Sequence, residues 1–348
     1  MLTLFRRSAL RHLFYLSCFA SVAVAQSPQA GLINRDASAF ATAAGKLYLV
    51  DTTHDQVVAI SRDGSAAHIS VGTRPDAVQV NNGTGMVYVV NPGSRNVSVI
   101  DSANDQVVAT VPTAARPYAI AVDETTNRVY VSNTFSSMLT VIDGTTNTAS
   151  NLKTGSADVI MVDSDRSRVY LLGYESDALT ELNPSDGTLT KIPAGAMHLW
   201  GLAHIGGILY VTHVQDAEVA AIDLKTHSIR NIASGAMPCA LAISQTRGEL
   251  YIANYANGTV TVVRDNKPVA TIPVTSYPQG LTVDEPGGLL YVSSPQQNQV
   301  TIIQLAPRRV LRTMTIADHP YAVAIHPQSH RAYSVNISSN SYTALKSE

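Results

Sequence analysis

Eight tyrosines recur at a nearly fixed interval, and this periodicity limits the fold more than any other feature of the chain. Tyr48, Tyr88, Tyr130, Tyr170, Tyr210, Tyr251, Tyr291 and Tyr333 are separated by 40, 42, 40, 40, 41, 40 and 42 residues. Each sits in a short β-prone run: LYLVD, VYVVN, VYVSN, VYLLG, LYVTH, LYIAN, LYVSS and AYSVN. Twelve residues after each tyrosine an aliphatic residue closes a second run, at Ile60, Ile100, Ile142, Leu182, Ile222, Val263, Ile303 and Leu345. Thirteen residues before it stands Pro75, Pro117, Pro238, Pro278 or Pro320 in five copies, with Arg35, Ala157 and Met197 in the other three. Length changes are therefore expected only after the aliphatic residue, in one turn and the strand that follows it.

Each copy reads as four strands. In the third these are Tyr118 to Val122, Arg128 to Ser132, Leu139 to Ile142 and a weaker segment from Ser150 to Lys153, joined by turns rich in Asp, Asn, Thr and Gly. No segment between them has the length or period of a helix. Four strands at a period near 40 predict an all-β chain folded as a β-propeller, whose blades bury their faces against one another around an axis. The tyrosine suits the wedge between blades, with its hydroxyl finding a partner near the rim. A two-sheet sandwich would need no register repeated eight times. Eight blades are expected, seven with one displaced copy being the alternative. The last copy ends three residues past Leu345 and lacks a fourth strand, so Ser27 to Asn34 is expected to close the ring by pairing near Ser341 to Leu345.

The first residues carry Arg6, Arg7 and Arg11 and no acid, followed by a mostly apolar stretch from Leu13 and a small-residue end at Ala23-Val24-Ala25. That is the pattern of a secretory signal cleaved before Gln26. Residues 26 to 348 would then form one propeller domain, periplasmic or extracellular, monomeric and without a membrane span. Only Cys239 remains in that part, so it can form no internal disulfide and is read as a small buried hydrophobe. The whole chain has 24 basic and 26 acidic residues; without the signal 21 basic residues remain, for a net charge of −5. No basic footprint for nucleic acid is left.

The residues from Arg116 to Asn133, RPYAIAVDETTNRVYVSN, followed by LTVID at Leu139 to Asp143, resemble the secreted YVTN-type β-propeller repeat proteins of prokaryotes. The likeness extends over nearly all of residues 35 to 348. The Asn that follows Tyr-x-x in that pattern is present as Asn91, Asn133, Asn254 and Asn336, and replaced by Asp51, Gly173, His213 and Ser294. The resemblance implies a seven- or eight-bladed propeller and no particular reaction.

In a propeller the approach to each inner strand and the loop between the second and third strands share one face, around the channel mouth. The register places Arg74, Arg116, Asp158, His198, His319 and Tyr277 there as ligand-binding candidates, with Arg offering forked hydrogen bonds to a polar or anionic molecule. Phe135, Met138, Tyr174, Val214 and Tyr255 fall in neighbouring second-to-third strand loops, where with Met197 and Trp200 they are expected to form an apolar patch for a protein or peptide. His198 and His213 are the candidates for a metal, with His319 a further one, although no ligand-spacing motif accompanies them. No nucleophile elbow, phosphate loop or His-Glu-x-x-His helix is present. The expectation is an exported protein that binds a protein, peptide or surface polymer through its loop face, without a cofactor. The alternative is a metal-assisted, lactonase-like hydrolase working at the channel mouth, for which a divalent ion would be required.

Overall fold

The computed structural model describes residues 37–134, 136–316, 319–326, 328–336 and 341–345. The expected signal and the expected closing strand, Ser27 to Asn34, lie outside the described residues. Residues 35–348 form one compact unit. Its strands are grouped into eight antiparallel sheets, each a meander in which consecutive strands pair. Blades 1 to 8 take residues 38–70, 77–112, 117–153, 159–193, 199–233, 238–273, 280–315 and 320–345. In blade 3 the inner to outer strands are Pro117–Asp123, Arg128–Asn133, Met138–Asp143 and Thr148–Lys153. Seven sheets have four strands, and blade 8 has three among the described residues. The one helical piece among those residues is a 3-10 turn at Pro295–Gln297.

The periodic residues do the packing they were expected to do. All eight repeat tyrosines are buried at the middle of a second strand, the most exposed at 5%. Tyr48 points from blade 1 into a cluster with Val57 and Ala59 of its own blade and Val78, Val87, Val89 and Ile100 of blade 2. The same arrangement recurs at every joint, so the eight buried clusters are the eight blade interfaces. Each unites the tyrosine face of one sheet with the face of the next that carries the aliphatic residue twelve positions on. Because strand side chains alternate between faces, one strand can serve both joints at once. The last cluster joins Tyr333 and Ala324 of blade 8 to Leu47, Leu49, Val58 and Ile60 of blade 1, which closes the ring. The cores are built from Val, Ile, Ala and Tyr, which suit pleated sheets buried on both faces.

On the face opposite the mouth, polar contacts join neighbouring first-hairpin turns. Thr42 donates to Asn82 Oδ1, and the Asn82 amide donates to Glu124 Oε1. Ser164 Oγ donates to Asp123, Ser244 Oγ to Glu285, and His326 Nε2 to the Gly45 carbonyl at 3.0 Å across the closing joint.

One expectation about length is corrected. Blade 5 makes its first hairpin with two residues, Gly206-Gly207 between paired Ile205 and Ile208, where blade 3 uses four between Asp123 and Arg128. Both glycines have positive φ, 57° and 82°, which a two-residue hairpin requires. The shortening lies before the tyrosine, so Leu199, which pairs with His213 as Pro117 pairs with Asn133, takes the proline position instead of Met197.

Candidate functional site

The residue before the proline position is the lead-in to each inner strand. At Arg74, Arg116, His198, Met237, Tyr277 and His319 it has φ between 54° and 61°, the left-handed region. The conformation turns the lead-in carbonyl toward the loop after the second strand: Arg116 O accepts from Thr134 N at 3.0 Å, Met237 O from Tyr255 N and His198 O from Val214 N. Arg74 N is tied to Asp55 Oδ1 at 2.7 Å and His319 N to Asn298 Oδ1 at 2.9 Å. Blade 4 reaches the same end differently. Its lead-in residue, Ser156, is absent from the left-handed set, and the Asp158 carboxylate accepts the Tyr174 amide at 2.8 Å. Arg74, Arg116 and His319 are exposed at the mouth, and Asp158, His198 and Tyr277 half-buried there.

The residue after the proline position forms an inner ring: Asp76, Tyr118, Asp158, Trp200, Cys239, Gln279 and Tyr321 in blades 2 to 8. All but Cys239 are half-buried. Gln279 and Tyr321 line a cavity of about 510 Å³ bounded by the inner strands of blades 1, 6, 7 and 8. Cys239 is 9% exposed, with its Sγ 3.2 Å from the Pro278 carbonyl, in keeping with a packing role.

The expected apolar patch is not an exposed one. Tyr174 and Tyr255 are 5% exposed and Val214 2%, while Met138 is half-buried and Phe135 lies outside the described residues. Tyr174 packs edge-on against His198 and Trp200, at centroid separations of 5.2 and 6.0 Å. Tyr255 packs against Tyr277 at 5.1 Å, and its hydroxyl accepts from Gln296 Nε2. These tyrosines fold back across the joint to the next blade because a ring left in water would forgo its apolar burial. They act as clasps that hold lead-in residues in place.

His213 occupies the position of the motif asparagine. Asn133 Nδ2 donates to the Val131 and Met138 carbonyls and to Thr140 Oγ1, bracing the turn after its strand. His213 is 1% exposed and its Nε2 donates to the Ala194 carbonyl at 2.8 Å. Burial holds its pKa below the ordinary histidine value despite that hydrogen bond and nearby acids. The ring nitrogen expected to face a metal thus braces the blade 4 to blade 5 linker. Among the described residues no three His, Cys, Asp or Glu side chains gather as a metal-holding group.

Sequence reasoning missed the most heavily charged contact in the ring, on the other face. Glu249 is fully buried, and Arg247 Nε and Tyr251 Oη donate to its Oε2 at 3.0 and 2.5 Å, while Arg264 and Arg308 Nη2 donate to Oε1, each at 2.5 Å. Burial alone would raise its pKa, but the tyrosine and arginine donors outweigh it and hold the carboxyl at about 2. Arg308 comes from blade 7, so the cluster staples two blades. A clue was present in the sequence: two residues before the repeat tyrosine, Glu249 is the one acid, the other copies having Lys46, Met86, Arg128, Arg168, Ile208, Leu289 and Arg331.

No family model matches the chain. It is 26% identical over 164 residues to the uncharacterized protein YncE of Salmonella typhi and of Salmonella typhimurium. The alignment takes in 44% of this chain and spans 45% of the length of those relatives. Among solved structures, the computationally designed Ika8 protein aligns with a TM-score of 0.71 at 12% identity, over 89% of this chain and 96% of that one. Dihydro-heme d1 dehydrogenase NirN, in complex with DHE, aligns with a TM-score of 0.69 at 11% identity, over 84% of this chain and 68% of that one. At such identities the likeness is one of fold. The chain is an eight-bladed β-propeller, similar over part of its length to an uncharacterised relative.

Proposed function

We propose that this protein is an exported propeller of the YVTN type, cleaved before Gln26, that works as a binding or scaffold module and engages a protein, peptide or surface polymer at the channel mouth. One observation carries the reading. At the hairpin turns the left-handed positions are filled mostly by Gly, Asn and Asp, as at Gly45, Gly85, Asp105, Asn127, Asn147 and Gly248. At the lead-in positions the same backbone carries Arg74, Arg116, His198, Met237, Tyr277 and His319 instead. A left-handed non-glycine residue costs about 1 kcal/mol, and glycine would avoid it. Placing large donor-bearing side chains there repeatedly puts them around one opening, and strain retained in this way is a mark of binding sites.

The test is co-purification from the native exported fraction with the wild-type protein and with an Arg74→Gly/Arg116→Gly/His319→Gly variant, which keeps the backbone and removes the side chains. The variant is expected to melt no lower than wild type and to lose its partner. Undiminished capture would remove the mouth from consideration. A stoichiometric divalent ion whose removal abolishes turnover of a lactone would support the hydrolase alternative instead.

A further inference from the structure

We propose that the mouth binds an uncharged oligosaccharide, with one sugar ring seated on Trp200 between Asp158 and His198. This rests on the reading of the mouth as the binding face and adds the chemistry of the ligand.

Three observations point to it. Apart from the eight repeat tyrosines, the described residues include eight aromatic side chains of the Phe, Trp and Tyr type, and six of them stand at the mouth end: Tyr118, Tyr174, Trp200, Tyr255, Tyr277 and Tyr321. Within the inner ring, acids and aromatics alternate from blade to blade as Asp76, Tyr118, Asp158 and Trp200. A pyranose ring presents a face of C–H bonds and a rim of hydroxyls, so a flat aromatic beside a carboxyl group meets both. The blade 4 to 5 joint builds that pairing in detail: the Tyr174 ring backs both His198 and Trp200, and its amide fixes Asp158.

Charge and exposure then separate this ligand from its rivals. Arg74 and Arg116 stand near Asp76 and Asp158, and the second-to-third-strand loops at this end add Arg95 against Asp55, Glu175, Asp177 and Asp216, an acidic surround that disfavours an anionic ligand. An apolar peptide anchor would call for exposed large hydrophobic side chains. Among the described residues only Met197 of the exposed ones is at the mouth, while Val107, Val108, Leu189, Ile229, Val269, Val310 and Leu311 lie on outer strands.

Trp200 is the only tryptophan in the sequence, so intrinsic fluorescence reports on this place alone. The protein is titrated separately with maltohexaose, cellohexaose and chitohexaose, following tryptophan emission and, in parallel, calorimetry. At least one sugar is expected to give a saturable emission change. Asp158→Asn, which keeps an acceptor for the Tyr174 amide, should weaken it about tenfold with the melting temperature retained, and Tyr118→Ala, whose ring also packs against the blade 3 to 4 joint, should weaken it about tenfold with a lowered melting temperature. Absence of saturable binding of all three sugars by both methods overturns the saccharide assignment. If capture that depends on Arg74 and Arg116 persists in the same preparation, the mouth still binds, but another class of ligand. Sugar binding that both substitutions leave unchanged overturns the site, and if it also survives the triple glycine variant it removes the mouth reading as well.

Discussion

Glu249 shows how far one side chain can depend on its neighbours. Its carboxylate is fully buried and receives three guanidinium groups and a phenol, so removing it leaves three arginines facing one another around a vacated acceptor. Glu249→Ala is expected to cost about 1.5–3 kcal/mol in urea unfolding, the range for losing hydrogen bonds to a charged group, because the arginines left behind are 26–44% exposed and can be rehydrated. The pH dependence has a definite sign. The folded carboxyl sits at about 2, below its ordinary value of 4.5, so its contribution is fully present above pH 4.5 and is lost as pH falls toward 2. The stability gap between wild type and Glu249→Gln should therefore narrow across that window; a gap independent of pH would contradict the ionised cluster. The lead-in residues lend themselves to an equally direct measurement. Arg74, exposed and at φ 54°, is expected to gain up to about 1 kcal/mol as Arg74→Gly, because relief of the left-handed backbone outweighs the entropy that glycine adds to the unfolded chain. A loss of stability on that substitution would mean that the side chain supports the fold.

At the scale of the strand, the repeat tyrosines look alike in sequence and differ in their hydroxyls. Tyr48 donates to Asp105 Oδ1 at 2.8 Å, and Tyr210 to Asn266 Oδ1 at 2.6 Å, each a residue of the third-to-fourth strand turn one blade on. The buried hydroxyl of Tyr88 has no hydrogen-bond partner among the described residues. Tyr88→Phe is accordingly expected to be neutral or slightly stabilising, whereas Tyr48→Phe should cost about 1.5–3 kcal/mol by orphaning a bond to a charged acceptor; chemical denaturation of the two variants distinguishes them. The strands themselves were legible in the sequence because alternation and turn chemistry act locally. In blade 3 the expected Arg128 to Ser132 is found as Arg128–Asn133, and Leu139 to Ile142 as Met138–Asp143. Which way Tyr174 and Tyr255 turn was not legible. A loop aromatic gives the same local signal whether it faces water or the next blade, and the choice depends on the gap beside His198 or Tyr277. The two-residue hairpin of blade 5 was concealed for a related reason: counting residues back from Tyr210 assumes a constant turn, and Gly206-Gly207 break that assumption.

For the ring as a whole, the eight joints share one chemistry but not one strength. Among the described residues the joint between blades 4 and 5 buries Tyr170, Leu172, Leu179, Ile192, Leu199, Leu209, Val211 and Ile222 among others, while the closing joint between blades 8 and 1 has a smaller set built around Tyr333 and Ala324. Phe40 stacks edge-on with His326 there, and Arg331 Nη1 donates to the Asp63 carbonyl at 2.6 Å. Local opening should begin at this joint, since regions with less buried apolar contact open at lower free energy. Amide exchange is expected to be faster in Pro320–His326 and Ser38–Ala41 than in the inner strands of blades 4 and 5, and His326→Ala should widen the difference. Uniform protection around the ring would refute the weak joint. The number of blades was legible because every copy carries its own tyrosine. The Glu249 cluster was not, because Arg308 lies 59 residues away in sequence and only the stacking of blade 7 on blade 6 brings it near.

The near-identity of the joints also bears on how such a chain can change. Since every blade offers its successor the same kind of face, adding or deleting one unit through unequal recombination would leave each remaining seam chemically matched. Only the wedge angle would need to readjust, so within this architecture descent can alter the count of repeats more readily than the pattern inside one.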